Sequence, residues 1–414
     1  MDRELVDDCV HCGFCLPTCP TYVLWGEEMD SPRGRIHLME ARLDGTIELN
    51  ATVVEHFDRC LGCMACVTAC PSGVQYDKLI ELTRERVEQE YERPHADRAL
   101  RELLFSVIPH RRRLRAALAA APLGRALPLP AKLRPLTELA PPWRSTAWPP
   151  ETVPAARERV ARVGLLAGCV QSVVFGDVNV ATARVLAAYG CEVVTPRKQG
   201  CCGALHVHAG RRDDGKERAR RTIDAFDAAG VDLVITNAAG CGSNLKEYGF
   251  LLADDPLYAE RAEAFAARVR DVSEALAQLE PQRRLAPLPL SVAFQDSCHL
   301  AHAQGVRAEP RAMLAAVPWL DVREPAEQDI CCGSAGIYNI VKSAAAATLG
   351  DRKAEHVLAT GAEVYASANP GCLVQLSTAL RRAGRALPCV HPVELVDASL
   401  RGVAAEQFMT RARR

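Results

Sequence analysis

Residues 9–20 read Cys-Val-His-Cys-Gly-Phe-Cys-Leu-Pro-Thr-Cys-Pro, and residues 60–71 read Cys-Leu-Gly-Cys-Met-Ala-Cys-Val-Thr-Ala-Cys-Pro. In each run three cysteines follow one another at two-residue gaps, and a fourth stands after a three-residue gap, directly before a proline. This is the bacterial ferredoxin pattern, in which three thiolates surround one 4Fe-4S cubane and the fourth binds the neighbouring cubane. Two complete runs therefore predict two 4Fe-4S clusters that pass electrons.

The predicted ligand sets cross between the two runs. Cluster 1 takes Cys9, Cys12, Cys15 and Cys70, and cluster 2 takes Cys60, Cys63, Cys66 and Cys19. Structural zinc is an alternative because zinc also binds four cysteinates, although zinc sites rarely combine successive two-residue gaps with a terminal Cys-Pro. A second alternative is that the clusters only brace the fold.

The composition describes a soluble globular protein. At 414 residues, with 49% hydrophobic and 24% charged residues, the chain predicts two or three domains. Its net charge of -1 gives no reason to expect nucleic acid as a partner. No signal peptide and no run of about 18 apolar residues are present, so we expect a cytoplasmic location. Eighteen cysteines in a reducing compartment then indicate metal binding or redox chemistry.

Proline content divides the chain. Before the division, residues 39–43 look helical and a charged helix is predicted from about Tyr76 to Leu104, broken at Pro94. Ten prolines between residues 109 and 154 then predict an extended connector without a long helix. We therefore expect a helical ferredoxin domain at 1–105, a proline-rich linker at 106–160, and two cysteine-rich units at 161–285 and 286–414.

The second half of the chain is duplicated. Cys169, Cys201-Cys202-Gly203 and Cys241 recur as Cys298, Cys331-Cys332-Gly333 and Cys372, at offsets of 129, 130 and 131 residues. Such constant offsets predict two copies of one unit. Short apolar strands alternate with amphipathic helices in both copies, which favours α/β layers with parallel strands. The predicted fold class is α+β multidomain, with a helical ferredoxin domain followed by two similar α/β units.

Each unit offers four thiols whose role the spacing leaves open. They suit a metal or a cluster, a transient disulfide, or the lining of a pocket. The glycine after each vicinal pair can adopt positive φ and so permits the turn that brings both thiols to one site. Four neighbouring histidines are candidate ligands or proton carriers, with ordinary polar roles as the alternative: His206, His208, His299 and His302. Cys191 and Cys389 are interpreted as structural.

Two basic stretches do not indicate a single role. Ser31-Pro32-Arg33-Gly34-Arg35 lies between the cysteine runs, and its arginines either neutralise cluster charge, dock a partner or belong to a solvated loop. Residues 110–113, His-Arg-Arg-Arg, suit contact with anionic lipid or a solvated basic turn.

With these motifs together, the chain resembles the iron-sulfur subunit of glycolate oxidase. The wider group includes the small subunit of anaerobic glycerol-3-phosphate dehydrogenase and the cysteine-rich subunit of heterodisulfide reductase. The stretches that carry the resemblance are residues 9–22, 31–35, 59–74, 240–242, 246–249 and 331–336. Heterodisulfide reductase units end in Cys-x-x-Cys and use five cysteines for an unusual cluster. Asn244 and Gln375 stand at those final positions here, so only a four-cysteine site stays open.

The resemblance implies a role in a complex. In this family the subunit holds two 4Fe-4S clusters, and flavin-containing partner subunits oxidise glycolate to glyoxylate. The chain has no Gly-x-Gly-x-x-Gly motif and no P-loop, which agrees with substrate oxidation on a partner. Electrons would then pass to a membrane acceptor such as a quinone, with peripheral contact at the inner face of the cell membrane. The alternatives are a lactate or glycerol-3-phosphate dehydrogenase complex and, from another class, a zinc-stabilised scaffold.

Overall fold

The computed structural model describes residues 3–126, 130–141 and 146–413. Pro128 and Pro142 of the predicted connector lie outside these ranges. A helical N-terminal region is followed by two α/β units, which confirms the predicted fold class. No helix of the described ranges is long and apolar enough to cross a membrane.

The N-terminal region consists of short helices around the cysteine runs. They are α1 (Arg3–Asp7), α2 (Pro20–Trp25), α3 (Pro32–Leu43), α4 (Ala51–Arg59), α5 (Ala65–Thr68), α6 (Tyr76–Glu90) and α7 (His95–Val107), with a 3-10 turn at Glu28–Asp30. The helix predicted from about Tyr76 to Leu104 is interrupted between α6 and α7, and Pro94 precedes the first residue of α7, as predicted. Phe57, Leu79 and Ile80 form the centre of the core that the cysteine loops cover.

The connector was predicted without a long helix, and that prediction was wrong for residues 111–126. They form α8 (Arg111–Ala126), followed by a 3-10 turn (Ala131–Leu133) and α9 (Arg134–Glu138). The alanine- and leucine-rich sequence before Pro122 has high helix propensity, and this proline falls in the last turns of the helix. Leu114 and Leu118 also pack against Val173, so tertiary contacts stabilise the helix.

The two units have the same sheet topology. The first sheet contains β1 (Thr152–Val153), β2 (Ala161–Leu165), β3 (Cys191–Val194), β4 (Leu233–Thr236) and β5 (Val269–Asp271). The second contains β6 (Leu290–Phe294), β7 (Leu320–Arg323), β8 (Val364–Ala366) and β9 (Cys389–Val390). Their orders are β1-β3-β2-β4-β5 and β7-β6-β8-β9, with every pairing parallel except β1 with β3. Without the edge strand β1 the two orders are equivalent, which confirms the duplication.

Helices cover both sheets. Unit 1 has α10 (Val170–Val174), α11 (Gly176–Ala188), α12 (Ala204–Val207), α13 (Arg212–Asp227), α14 (Ala239–Lys246), α15 (Tyr248–Leu251), α16 (Ala259–Ala267) and α17 (Val272–Ala277). Unit 2 has a π-helical turn (His299–Ala303), α18 (Ala308–Ala315), α19 (Tyr338–Val341), α20 (Ser343–Ala359), α21 (Pro370–Arg382), α22 (Pro392–Leu400) and α23 (Ala405–Ala412).

The two units share one hydrophobic core. Helix α11 packs against α22, and α17 packs against α18, so each contact has its counterpart in the other unit. Leu165, Leu186 and Val396 belong to the same buried cluster. At its edge the Arg184 guanidinium donates to both carboxylate oxygens of Asp397, at 2.8 and 2.7 Å. The duplicated half therefore behaves as one packed body in which the two cysteine sets have fixed positions.

Candidate iron-sulfur centres

Two cavities lie beside the two cysteine runs. The first spans about 400 Å³ including space open to solvent, and five cysteines line it: Cys9, Cys12, Cys15, Cys66 and Cys70. The second spans about 290 Å³, also including space open to solvent, and four cysteines line it: Cys19, Cys60, Cys63 and Cys66. The fourth cysteine of each run thus lies at the cavity of the other run. This placement agrees with the crossed ligand sets, which stay a prediction.

The two cavities differ in exposure. Cys12 is exposed at the first cavity, and the neighbouring Val10 and Phe14 are 68% and 65% exposed. All four predicted ligands of the second cavity are buried. Because Cys66 borders both cavities, the two sites are close neighbours. The arrangement provides one site at the surface and one in the interior.

A buried carboxylate organises the second cavity. Asp30 is fully buried and accepts a hydrogen bond of 2.7 Å from Arg59, while its Oδ1 lies 2.9 Å from His56 Nδ1. Arg35, also buried, lies 3.4 Å from Asp30 and donates to the His56 carbonyl at 2.6 Å and to Thr21 Oγ1 at 3.1 Å. Of the three alternatives for these arginines, the solvated loop is therefore wrong for Arg35, because its guanidinium is an internal cation beside the cysteines.

The rest of the motif at residues 31–35 ties the first loop to α3. The Ser31 side chain caps α3 by accepting from the Gly34 amide at 3.0 Å. A Cβ at Gly34 would stand 1.9 Å from the Glu28 carbonyl oxygen, so only glycine fits. Arg33 donates to the His11 carbonyl at 3.0 Å and to the Glu28 carboxylate at 2.6 Å. Residues 31–35 thus connect the first cysteine loop to α3 and to α4, the helix that precedes the second cysteine loop.

The electrostatics of the second cavity suit a negatively charged group. Burial raises the pKa of Cys60, but Arg35 and Arg84 outweigh burial, and the pKa falls below its ordinary value. The Cys60 sulfur also accepts from the Tyr76 hydroxyl at 3.6 Å and from the Gly62 amide at 3.4 Å. A cubane with four thiolates carries net negative charge, and its potential depends on such hydrogen bonds and charges. The residues present therefore fit a cluster.

Each α/β unit brings its four thiols together in series. The sulfurs of Cys169 and Cys201 are 3.5 Å apart, and the thiol of Cys202 lies close enough to both Cys201 and Cys241 to interact with them. The equivalent sulfurs of Cys298 and Cys331 are 3.8 Å apart, and the contacts continue through Cys332 to Cys372. The thiols follow three adjacent strands of each sheet, in a loop or, for Cys241 and Cys372, in the first turn of the next helix, where ligand sites gather in open α/β sheets.

Backbone turns place the vicinal cysteines as predicted. Gly203 has φ of +93° and Gly333 has φ of +91°, a region that L side chains rarely adopt. Hydrogen bonds from Cys169 and Cys202 lower the pKa of Cys201 well below its ordinary value. Cys331 has the same environment, with Cys298 and Cys332 as donors. In both units the neighbouring thiols therefore lower the pKa of the first cysteine of the vicinal pair.

The residues at the positions of the missing fifth cysteine have structural contacts. Asn244 donates to the Cys202 carbonyl at 2.9 Å, and the Tyr248 hydroxyl donates to the same oxygen at 2.6 Å. In unit 2, Gln375 donates to the Ala346 carbonyl at 2.7 Å. Both side chains support the loops that carry the thiols.

Two of the four histidines, His299 and His302, contact the second cysteine loop instead of binding at the thiols. His299 Nε2 donates to the Gly62 carbonyl at 2.9 Å, so its Nδ1 accepts from the Ser243 hydroxyl at 2.8 Å. His302 Nδ1 is 2.7 Å from Thr68 Oγ1. Burial lowers the pKa of His299 to about 4, which keeps the ring neutral. Sequence reasoning missed this role because these partners are more than 200 residues apart.

The other two histidines lie on unit 1. His208 Nδ1 is 2.8 Å from Glu81 of α6, and its carbonyl accepts from Arg84 at 2.7 Å. Arg84 also donates to the Cys60 carbonyl. His206 is buried against Phe105, and burial lowers its pKa to about 4. The ferredoxin region is thus docked on both units.

Comparison with protein-family models gives two matches. A 4Fe-4S dicluster domain matches residues 5–74, and a cysteine-rich domain matches twice, at residues 163–246 and 292–377. The first match confirms the predicted pair of 4Fe-4S clusters, and the second confirms the predicted duplication.

The chain is similar to two iron-sulfur subunits over nearly its whole length. It is 40% identical to the probable glycolate oxidase iron-sulfur subunit of Bacillus subtilis, covering 96% of this chain and 94% of that protein. It is 38% identical to the glycolate oxidase iron-sulfur subunit of Escherichia coli, covering 95% and 93%. A crystal structure of a hypothetical protein from Helicobacter pylori shares the fold, with a TM-score of 0.54 at 10% identity over 92% of this chain and 69% of that one. The chain belongs to the family of glycolate oxidase iron-sulfur subunits.

Proposed function

We propose that the chain is the electron-transfer subunit of a glycolate oxidase complex. Flavin-containing partner subunits would oxidise glycolate to glyoxylate, and electrons would pass singly through this chain toward a membrane acceptor such as a quinone. The observation that carries the proposal is the pair of adjacent cavities, each bordered by thiols of both cysteine runs. The names of the two full-length relatives support the substrate.

The proposed ligand sets follow the cavities. Cluster 1 is held by Cys9, Cys12, Cys15 and Cys70, and cluster 2 by Cys60, Cys63, Cys66 and Cys19. When bound, each cluster supplies a one-electron carrier. The Cys66 wall between the cavities supports transfer from one site to the other.

The protein's own residues prepare each site for its part in the relay. At cluster 2, Arg35 and Arg84 balance negative charge, and the Tyr76 hydroxyl donates to the Cys60 sulfur. At cluster 1, the exposed Cys12 lets a partner's redox group approach. We therefore assign electron exchange with a partner subunit to cluster 1. The four buried cysteines of the second cavity would limit the access of water and oxidants to a cluster held there.

The domain division belongs to the same proposal. The ferredoxin module occupies residues 1–105, the connector 106–160, and the two cysteine-rich units 161–285 and 286–414. The connector would act as a helical brace, because α8 packs on α10 of unit 1.

Substrate-dependent bleaching tests the proposed function. The chain is co-purified anaerobically with its partner subunits, and glycolate is added while the visible absorbance of the clusters is recorded. We expect bleaching in the wild type and in Cys191→Ser, a buried core cysteine of unit 1. The signal should fall in Cys12→Ser and Cys63→Ser. Faster bleaching by lactate or glycerol 3-phosphate would transfer the proposal to those substrates, and no bleaching by any of them would contradict it.

Elemental analysis separates the redox role from a zinc-stabilised scaffold. We expect about eight irons and matching sulfide in the ferredoxin module, because each cubane contains four of each. A colourless preparation that contains zinc in place of iron would contradict the relay.

A further inference from the structure

We infer that one face of helix α8 binds the surface of a membrane that contains anionic lipids. This face, called the α8 outer face, consists of exposed residues: Arg112, Arg115, Ala116, Ala119 and Leu123. It lies outside both cysteine cavities, so the inference goes beyond the relay. Binding there would hold the chain beside the membrane acceptor of the proposed function.

The first support is the charge of this part of the chain. Residues 103–137 contain seven arginines and lysines and no aspartate or glutamate. Because the whole chain has a net charge of -1, this stretch carries +7 and the other residues together carry -8. Clustered arginines and lysines are attracted to the negative surface potential of a membrane with anionic lipids. The positive charge of an otherwise acidic protein is therefore concentrated in one segment.

The packing of α8 determines which of its side chains face outward. Leu114, Leu118 and Ala121 are buried in one cluster with Val173 of α10. An α-helix has about 3.6 residues per turn, so these three residues share one side of α8. The α8 outer face lies on the other side, with Arg115 at its edge.

The arginines that do not face outward hold α8 in place. Residues 111–113 begin the helix, so they are not a solvated turn. The Arg111 guanidinium lies 3.8 Å from the centre of the Trp148 ring, and Arg113 donates to the Ser106 carbonyl at 2.8 Å. The helix is thus fixed on the protein body before any lipid binds, which lowers the entropic cost of binding.

The α8 outer face differs from the exposed side of an ordinary surface helix. Helix α13 is the ordinary case, because its exposed Arg221 pairs with Glu217 one turn earlier. Helix α8 contains five arginines and no acidic residue. No charged residue stands between Arg115 and Arg125, and Leu123 in this interval is 72% exposed. Cations at one end and apolar side chains beyond them suit the boundary between lipid headgroups and acyl chains.

A lipid surface uses both kinds of side chain on the α8 outer face. Arginine can keep its guanidinium at the headgroups while its apolar stem lies against the acyl boundary. Leu123 would leave water there, which is favourable for an apolar side chain. Single-stranded nucleic acid is bound with aromatic side chains on which bases stack, and α8 has none. The anionic membrane is therefore the partner that the surface fits.

Vesicle flotation of the anaerobically purified complex tests the inference. We expect binding to an equal mixture of phosphatidylcholine and phosphatidylserine, little binding to phosphatidylcholine alone, and weaker binding as the salt concentration rises. Arg112→Gln combined with Arg115→Gln should weaken binding about 25-fold, at roughly fivefold for each arginine near an anionic surface. Leu123→Gln should weaken binding to the mixed vesicles several-fold, because less apolar surface leaves water.

The matched control is Arg283→Gln combined with Arg284→Gln. It removes the same charge from two exposed arginines outside α8 and should leave vesicle binding nearly unchanged. The thermal loss of cluster absorbance should be the same in all these variants as in the wild type, because the replaced side chains are exposed.

The outcomes distinguish this inference from the proposed function. Vesicle binding that the α8 variants weaken, without bleaching by any substrate, would support the inference and contradict the relay. Glycolate-dependent bleaching without vesicle binding, or equal loss of binding in the α8 and control variants, would overturn the inference and leave the relay in place. Loss of the partner subunits from the double α8 variant would assign the face to an acidic partner protein. Tighter binding to polyuridylic acid than to the mixed vesicles would assign it to nucleic acid, and either result would overturn the inference.

Discussion

Replacement of Arg35 by glutamine should destabilise the ferredoxin module strongly. The guanidinium donates three hydrogen bonds, to His56 O at 2.6 Å, Thr21 Oγ1 at 3.1 Å and Asp30 Oδ1 at 3.4 Å. Loss of one partner of a buried ion pair costs about 3–5 kcal/mol. Asp30 keeps its contacts with Arg59 and His56, so we expect the lower end, about 3 kcal/mol.

The assay is the thermal loss of cluster absorbance under anaerobic conditions at one fixed scan rate, because such unfolding is irreversible. At roughly 2–4 °C per kcal/mol, the midpoint should fall by about 6–12 °C. Arg59→Gln is the matched control. Its side chain is 32% exposed and binds the same carboxylate, so it should cost only about 1 kcal/mol. Equal shifts for the two variants, or no shift for Arg35→Gln, would refute the internal-cation account.

Three further predictions concern the α/β units and their contact with the ferredoxin module. Gly333→Ala should lower the free energy of unfolding by about 2 kcal/mol or more, measured in a thermal scan. The reason is that Gly333 has φ of +91° and that an added Cβ would stand 2.7 Å from the Ala346 carbonyl oxygen. Burial raises the pKa of Asp271 to about 6, so the folded protein binds this proton more tightly than the unfolded chain and loses stability as pH rises through about 4 to 6. As pH rises from about 5 to about 7.5, the stability of Asp271→Asn relative to wild type should therefore increase by about 1.4 kcal/mol. The measurement is the difference between the thermal unfolding midpoints of the two proteins at each pH. Arg84→Ala removes the hydrogen bonds that join α6 to unit 1 and the second cysteine loop, and should cost about 2 kcal/mol and speed amide exchange at residues 60–68.

Each of these three predictions has a result that would contradict it, and Gly333→Ala also has a matched control variant. Gly402 also has positive φ, at +63°, but nothing lies near its Cβ position, so Gly402→Ala should cost less than Gly333→Ala. If the two cost the same, the close approach at Gly333 is unimportant. Parallel pH profiles for Asp271→Asn and the wild type would show that Asp271 ionises normally. For the interface, unchanged amide exchange in Arg84→Ala would rule out its docking role.

The sequence was most informative where local spacing determines chemistry. The gaps within residues 9–20 and 60–71 are short, so they predict which thiols meet without any knowledge of the tertiary structure. The duplication was equally accessible, because the offsets of 129 to 131 residues need no structure to be seen. Gly203 and Gly333 were predicted to turn the chain, and both have positive φ.

Contacts between residues that are distant in the sequence could not be predicted from local spacing. Nothing local in the sequence indicates that His302 meets Thr68 across 234 residues, or that Lys353 is buried. The network around Asp30 was also missed, although Arg59 directly before Cys60 is a signal that could have directed attention to it. Helix α8 was not predicted for a different reason: the frequent prolines of this region conceal an alanine- and leucine-rich run that has high helix propensity.

Crossed ligation is the central claim, and single ligand replacements test it most directly. Cys12→Ser and Cys63→Ser define the paramagnetic resonance signals of the exposed and the buried cluster. The account predicts that Cys70→Ser abolishes the signal that Cys12→Ser abolishes, and that Cys19→Ser abolishes the signal lost in Cys63→Ser. If Cys19→Ser instead removes the exposed cluster and Cys70→Ser the buried one, each run binds its own cluster and the crossed assignment is contradicted.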